Sequence, residues 1–120
     1  MAAFPNFDIE AAARRINEAN RREDEMTAAR RMAAQEEARR IAATLREKDP
    51  GVRLIWGFGS VFETYRPFRM DSDIDLAIEG GDIVRLSSVA EDSAFKVDLV
   101  DIAGCDDQFA RSIRTRGTSL

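Results

Sequence analysis

From Asp8 to Lys48 the chain contains neither Gly nor Pro, and Asp49-Pro50-Gly51 follows at once. Ala, Arg and Glu dominate this stretch, and all three are strong helix formers. Ile9, Ala13 and Ile16 make one apolar stripe, and Met26, Ala29 and Ala33 make another. Ala34, Ala38, Ile41 and Leu45 continue at spacings of three and four residues. Asn6 or Asp8 can cap the start, whereas Pro50 cannot continue a helix and Gly51 frees the turn. The polar patch Asn20–Glu25 interrupts the stripe without any helix breaker, so one continuous helix is expected, on the order of 60 Å long. Its C-terminal half is expected to cover the domain that follows and its N-terminal half to pack on another protein chain. The doublets Arg14-Arg15, Arg21-Arg22, Arg30-Arg31 and Arg39-Arg40 are interleaved with Glu18, Glu23, Glu25, Glu36 and Glu37. Such spacing makes a solvated, ion-paired face rather than a phosphate-binding one.

Everything else must be built from residues 50–120. Val52–Phe58 is apolar and β-favouring, as expected of a buried first strand. Gly57 and Gly59 bracket its end, where the absence of a Cβ lets backbone N–H groups approach a phosphate. Ser60 adds a hydroxyl and is expected to start a short helix, Val61–Tyr65, which Pro67 stops. A second strand, Asp73–Glu79, ends at Gly80-Gly81. Asp82–Asp92 reads as a short helix capped by Asp82, with Ile83, Val84, Leu86 and Val89 inward. Phe95–Ile102 is the third strand. A final helix capped by Asp106 or Asp107 runs to about Arg116, and after Gly117 only Thr118-Ser119-Leu120 remain.

The chemistry is narrowed by what is missing. The chain of 120 residues, one domain by length, has no His, which removes imidazole bases, His triads and His-ligated zinc. Acid–base or metal chemistry must run on carboxylates, whose hard oxygens suit Mg²⁺ or Mn²⁺. The net charge of −4 argues against nucleic-acid binding through a broad basic face. Residues 1–48 hold ten basic and nine acidic side chains, leaving eight basic and thirteen acidic in 49–120. A lone Cys105, no long apolar run and no signal-peptide pattern in Met1–Asp8 suit a reducing cytoplasm.

As a strand, Asp73-Ile74-Asp75-Leu76-Ala77-Ile78 puts Ile74, Leu76 and Ile78 on one face and Asp73, Asp75 and the small Ala77 on the other. Residues two apart on a strand lie about 6–7 Å apart at Cα, so the two carboxylates can converge on a divalent ion. A calcium loop starting at Asp71 is excluded, because Leu76 and Asp82 stand where it needs Gly and Glu. On the third strand Asp98 and Asp101 face opposite ways, and only one of them can join the pair.

Leu54–Phe58 followed by Gly59-Ser60, then Ser72-Asp73-Ile74-Asp75-Leu76, then Val97–Val100, resembles the minimal nucleotidyltransferases of the DNA polymerase beta superfamily. The resemblance covers about residues 50–117. It implies an α+β fold, with a small three-to-four-stranded mixed sheet and helices packed on it, preceded here by the long helix. The corresponding division is 1–49 for a packing or oligomerisation helix and 50–120 for the nucleotidyltransferase domain. The resemblance selects Asp98 as third carboxylate and implies that Asp73, Asp75 and Asp98 bind Mg²⁺ or Mn²⁺. It also implies that Gly59 and Ser60 hold the phosphates of a nucleoside triphosphate, ATP by analogy. Where the family usually carries Arg and Gly after the Gly-Ser pair, this chain has Glu63 and Thr64, so Arg66 and Arg69 are the candidates for the missing positive charge. Members of this size pair with a helical HEPN toxin as antitoxin and adenylylate it, which implies a HEPN-like partner, with a homo-oligomer through the helix as another use of that surface. The rival function is a catalytically inactive module of the same fold that neutralises a partner by binding alone.

Overall fold

The computed structural model describes residues 8–120; the possible cap at Asn6 falls outside them. Ile9–Lys48 is a single helix, α1, with Asp8 as its cap: the Asp8 carboxylate accepts from the Ala11 N–H at 3.1 Å. The polar patch Asn20–Glu25 neither breaks nor turns it. Strands β1 (Leu54–Phe58), β2 (Ile74–Glu79), β3 (Val97–Asp101) and β4 (Thr118–Ser119) form one mixed sheet in the order β3-β2-β1-β4. β1 runs antiparallel to β2 and β4, and β2 runs parallel to β3. A parallel pair needs a crossover, and α2 (Ile83–Glu91) supplies it. Helix α3 (Asp107–Arg116), capped by Asp106, leads into β4. The fold is α+β. No helix among the described residues is long and apolar enough to cross a membrane.

The alternation in β2 assigns the layers. Ile74, Leu76 and Ile78 are fully buried in a core with Ala34, Ala38, Ile41, Ala42 and Leu45 of α1 and Leu86 and Val89 of α2. On the other face Ala77 packs with Ile102, Ala110 and Ile113, flanked by Trp56, Phe58 and Val100. The C-terminal half of α1 therefore covers the sheet as expected. Its N-terminal half leaves Ile16 61% and Met26 62% exposed. The end of α1 is fastened to the start of α2 through Asp49, whose carboxylate accepts from the N–H groups of Gly51 at 2.9 Å and Asp82 at 2.8 Å. Those bonds, led by the one from Asp82, hold its carboxyl below the usual range. Across the other face, Glu79 accepts from Trp56 Nε1 at 2.7 Å and Arg114 Nη2 at 2.6 Å, tying β1, β2 and α3 together.

Two expectations are corrected, and the fourth strand allowed by the three-to-four-stranded reading is found. Val84 is 82% exposed, because Ile83, Leu86, Val89 and Ala90 already fill the inward side of α2 and Val84 falls on its flank. The expected helix Val61–Tyr65 is only a 3₁₀ turn at Gly59–Val61. Phe62 and Glu63 N–H both donate to the Gly59 carbonyl, and Pro67 then bars Arg66 from helical geometry. After Gly117, Thr118 and Ser119 make a closing strand: Thr118 pairs with Gly57 and Ser119 with Trp56, and the Leu120 N–H reaches the Ile55 carbonyl at 2.9 Å. Strand ends differ from the expected ones by one or two residues, as fraying ends do.

Because Leu45 is fully buried and Ile16 is not, truncation should separate the two halves of α1. Leu45→Ala should cost about 2–5 kcal/mol in urea unfolding and Ile16→Ala no more than about 0.5 kcal/mol. Equal losses would show that the N-terminal half is also part of the folding core.

Candidate active site

The ends of β1, β2 and β3 meet at one edge of the sheet. Register places Phe58, the last residue of β1, opposite Asp75, and Asp75 beside Asp98 on the parallel strand. Neighbours in register project on the same side of a sheet, so Asp75 and Asp98 share a face. Asp101 pairs instead with Ile78, and its carboxylate accepts from the Ala103 N–H at 3.1 Å. Asp73, two residues before Asp75, has its carboxylate 3.4 Å from Lys96 Nζ.

The chain passes from Phe58 into the turn at Gly59, whose φ is +72°. A Cβ there would lie 2.1 Å from Asp75 Oδ2, so both the left-handed backbone and the close approach of the carboxylate require glycine. Burial pushes the Asp75 carboxyl up to about 6, with further upward pressure from Asp98 and Asp73, and Glu63 adding the least. Arg66 opposes the shift.

Ser60 is half-buried and its carbonyl accepts from Arg31 Nη2 at 2.9 Å; the same nitrogen reaches the Arg66 carbonyl at 3.2 Å. Gln35, one turn along α1, donates to the Val61 carbonyl at 2.9 Å. The Arg31 guanidinium also lies 5.0 Å from the centre of the Phe68 ring. Helix α1 thus braces the turn that carries Gly59 and Ser60. A cleft of about 240 Å³ between α1 and the following loop, lined by Asp24, Thr27, Ala28, Arg31, Arg66 and Phe68, borders the cluster through Arg66 and contains none of the three aspartates.

The residue that sequence reasoning passed over is Glu63. Its side chain is buried, with the residue only 5% exposed, and its carboxylate accepts from the Gly59 N–H at 2.6 Å and the Tyr65 hydroxyl at 2.5 Å. Arg66 Nε stands 3.3 Å from the same oxygen that Gly59 holds. Arg66 is therefore brought to the site, engaged with Glu63. Arg69 is exposed, and its backbone N–H donates to Ser72 Oγ at 2.9 Å. For Arg31 and Gln35 a signal existed: with Ala34 and Ala38 they lie at helical spacing on one face. For Glu63 the sequence offered only its position.

The donor set suits a hard divalent cation: a desolvated Asp75 carboxylate with Asp98 beside it is what such an ion would relieve. Among the described residues no three carboxylates gather closely enough to hold a metal by themselves. Asp73, turned to Lys96, would have to leave it to join the pair.

The fold is similar to that of minimal nucleotidyltransferase antitoxins solved in toxin–antitoxin complexes. One similar solved structure is a chain of a MntA–HpeT toxin–antitoxin complex bearing two Asp-to-Glu mutations two positions apart, at 26% identity over 68% of this chain and 70% of that one, with a TM-score of 0.54. Another is from a toxin–antitoxin complex with AMP-PNP, at 26% identity over 67% and 69%, with a TM-score of 0.54. A third is from a complex of tri-AMPylated Shewanella oneidensis HEPN toxin with MNT antitoxin, at 27% identity over 72% and 70%, with a TM-score of 0.53. No protein-family model matches the chain, and no curated protein does.

The raised Asp75 carboxyl has a sign that can be measured. Its penalty is absent below about pH 4, where folded and unfolded chains are both protonated, and is complete above about pH 6. Allowing for solvent screening of a partly exposed group, it amounts to about 1–2 kcal/mol. In chelator, Asp75→Asn should therefore be more stable than wild type to urea at pH 8 by about that amount, with the gain vanishing near pH 4. The same difference at both pH values would show that the carboxylate is not strained.

Proposed function

We propose that this protein is a nucleotidyltransferase-type antitoxin that moves a nucleoside monophosphate, AMP from ATP, onto a hydroxyl group of a HEPN-like toxin. The observation that carries this reading is the register of β2 and β3, which sets Asp75 beside Asp98 at the strand end closed by Gly59, with Asp73 two residues upstream. The similar complexes support the acceptor and the nucleotide: one contains an AMPylated HEPN toxin and another AMP-PNP.

In this reading residues 50–120 are the catalytic unit, and 1–49 serve for packing and assembly, with the exposed part of α1 presented to the toxin or to a second copy. The protein would act in the cytoplasm. Ser60 and the Gly59 backbone position the triphosphate, and Arg66 and Arg69 offer positive charge along the loop. The acceptor oxygen attacks the α-phosphorus, the α–β anhydride bond breaks, and pyrophosphate departs with the bonding pair. The hydroxyl proton passes to solvent beside Asp98, whose carboxylate favours its departure. Mg²⁺ or Mn²⁺ held by Asp73, Asp75 and Asp98 would neutralise charge on the phosphates and the leaving group.

A second reading, a module that neutralises its partner by binding alone, is favoured by one observation: the Glu63 carboxylate already holds the Gly59 N–H. The two readings part on a direct test. The chain, a HEPN-type partner purified with it, ATP and Mg²⁺ should yield partner heavier by AMP in intact-mass spectra. Asp73→Asn and Asp75→Asn should each lower the rate by about 10²-fold or more while the unfolding transition persists. Full turnover in either mutant would refute the catalytic assignment, and no transfer or thermal stabilisation by wild type at millimolar ATP would leave the binding module.

A further inference from the structure

We infer that Glu63 sets the nucleotide affinity of this site by acting as an internal anion: its carboxylate occupies the Gly59 amide, and a polyphosphate must displace it to bind. The inference rests on the proposed nucleotide site, and its test separates the two. One backbone N–H makes one good hydrogen bond, so the Gly59 amide serves Glu63 or a phosphate oxygen. The carboxylate is held by design of the turn: the Gly59 N–H at 2.6 Å, the Tyr65 hydroxyl at 2.5 Å and Arg66 Nε at 3.3 Å all converge on it. Only 5% of the residue is exposed, so its charge is poorly screened by water. A triphosphate approaching Gly59 therefore meets a fixed negative charge beside Asp75 and Asp98, and it meets Arg66 already engaged. Removing the charge of Glu63 weakens its hold on the amide, since the neutral Gln oxygen is a poorer acceptor and easier to displace, and releases Arg66 toward the phosphates.

The recognised chemistry is the phosphate chain, so the probes are ATP, inorganic tripolyphosphate and adenosine, each titrated calorimetrically in Mg²⁺ against wild type and Glu63→Gln. The expected result is about tenfold tighter binding of ATP and of tripolyphosphate by Glu63→Gln, a gain that shrinks in high salt, with adenosine unchanged. Equal ATP binding by wild type and Glu63→Gln overturns the inference while leaving the nucleotide site in place. So does a gain shared by adenosine, which would mark a general change of shape. Binding of ATP by neither protein overturns the nucleotide site and the inference with it. Should Glu63→Gln lose its near-ultraviolet circular dichroism, Tyr65→Phe decides. It removes one of the groups holding the carboxylate, and ATP binding tightened by about two- to threefold supports the inference, whereas unchanged or weaker binding overturns it.

Discussion

The sheet depends on the wall that α1 sets against it. Strands of five, six, five and two residues cannot bury a core by themselves, and small domains are short of interior. Ala34, Ala38, Ile41, Ala42 and Leu45 close one face of β2 completely, and the small alanines let helix and sheet approach closely. Half of the long helix is thus structural in the strict sense, and the remainder projects with its side chains in water. The same helix reaches the chemistry, because Arg31 and Gln35 hold carbonyls of the turn after β1.

Around that turn the electrostatics are one-sided. Asp98, Asp73 and Glu63 each act on Asp75, with Lys96 paired to Asp73 and Arg66 to Glu63. Three of these charges have some compensation: Asp73 has Lys96, Glu63 has two hydrogen-bond donors and Arg66, and Asp75 takes up protons more readily than an ordinary carboxyl. Asp75 lies against Gly59, whose left-handed backbone leaves no room for a Cβ. Uncompensated charge at a strand end is a poor structural choice and a useful one for holding a cation.

Much of this was legible along the chain, for reasons that can be named. A stretch of forty residues without Gly or Pro can scarcely be other than helical. The alternation in Asp73–Ile78 is a local property of the pleat, so the apolar face, the acidic face and the place of Ala77 followed from it. Val84 was misplaced because a helix of nine residues offers several ways to draw an apolar stripe, and only the neighbours choose among them. The closing strand was hidden in its shortness: Thr118 and Ser119 carry no pattern, and their pairing comes from the position of β1 beside the end of α3.

What the sequence by itself determined was the inventory and its periodicities: a long helix, strands with one oily side, and carboxylates at fixed spacing beside a Gly-Ser pair. Those are local, set by backbone sterics and by the repeat of each element. The tertiary structure alone decided which charges meet. Asp98 rather than Asp101 faces Asp75 because the parallel register of β2 and β3 brings them level. Asp73 turns to Lys96 because the two strands start side by side. Glu63 reaches Gly59 because the turn after β1 tightens into a 3₁₀ bend that folds the side chain back on the amide four residues earlier. Each of these is a matter of ångströms between side chains, and electrostatic energy depends on that distance, which the order of residues does not contain.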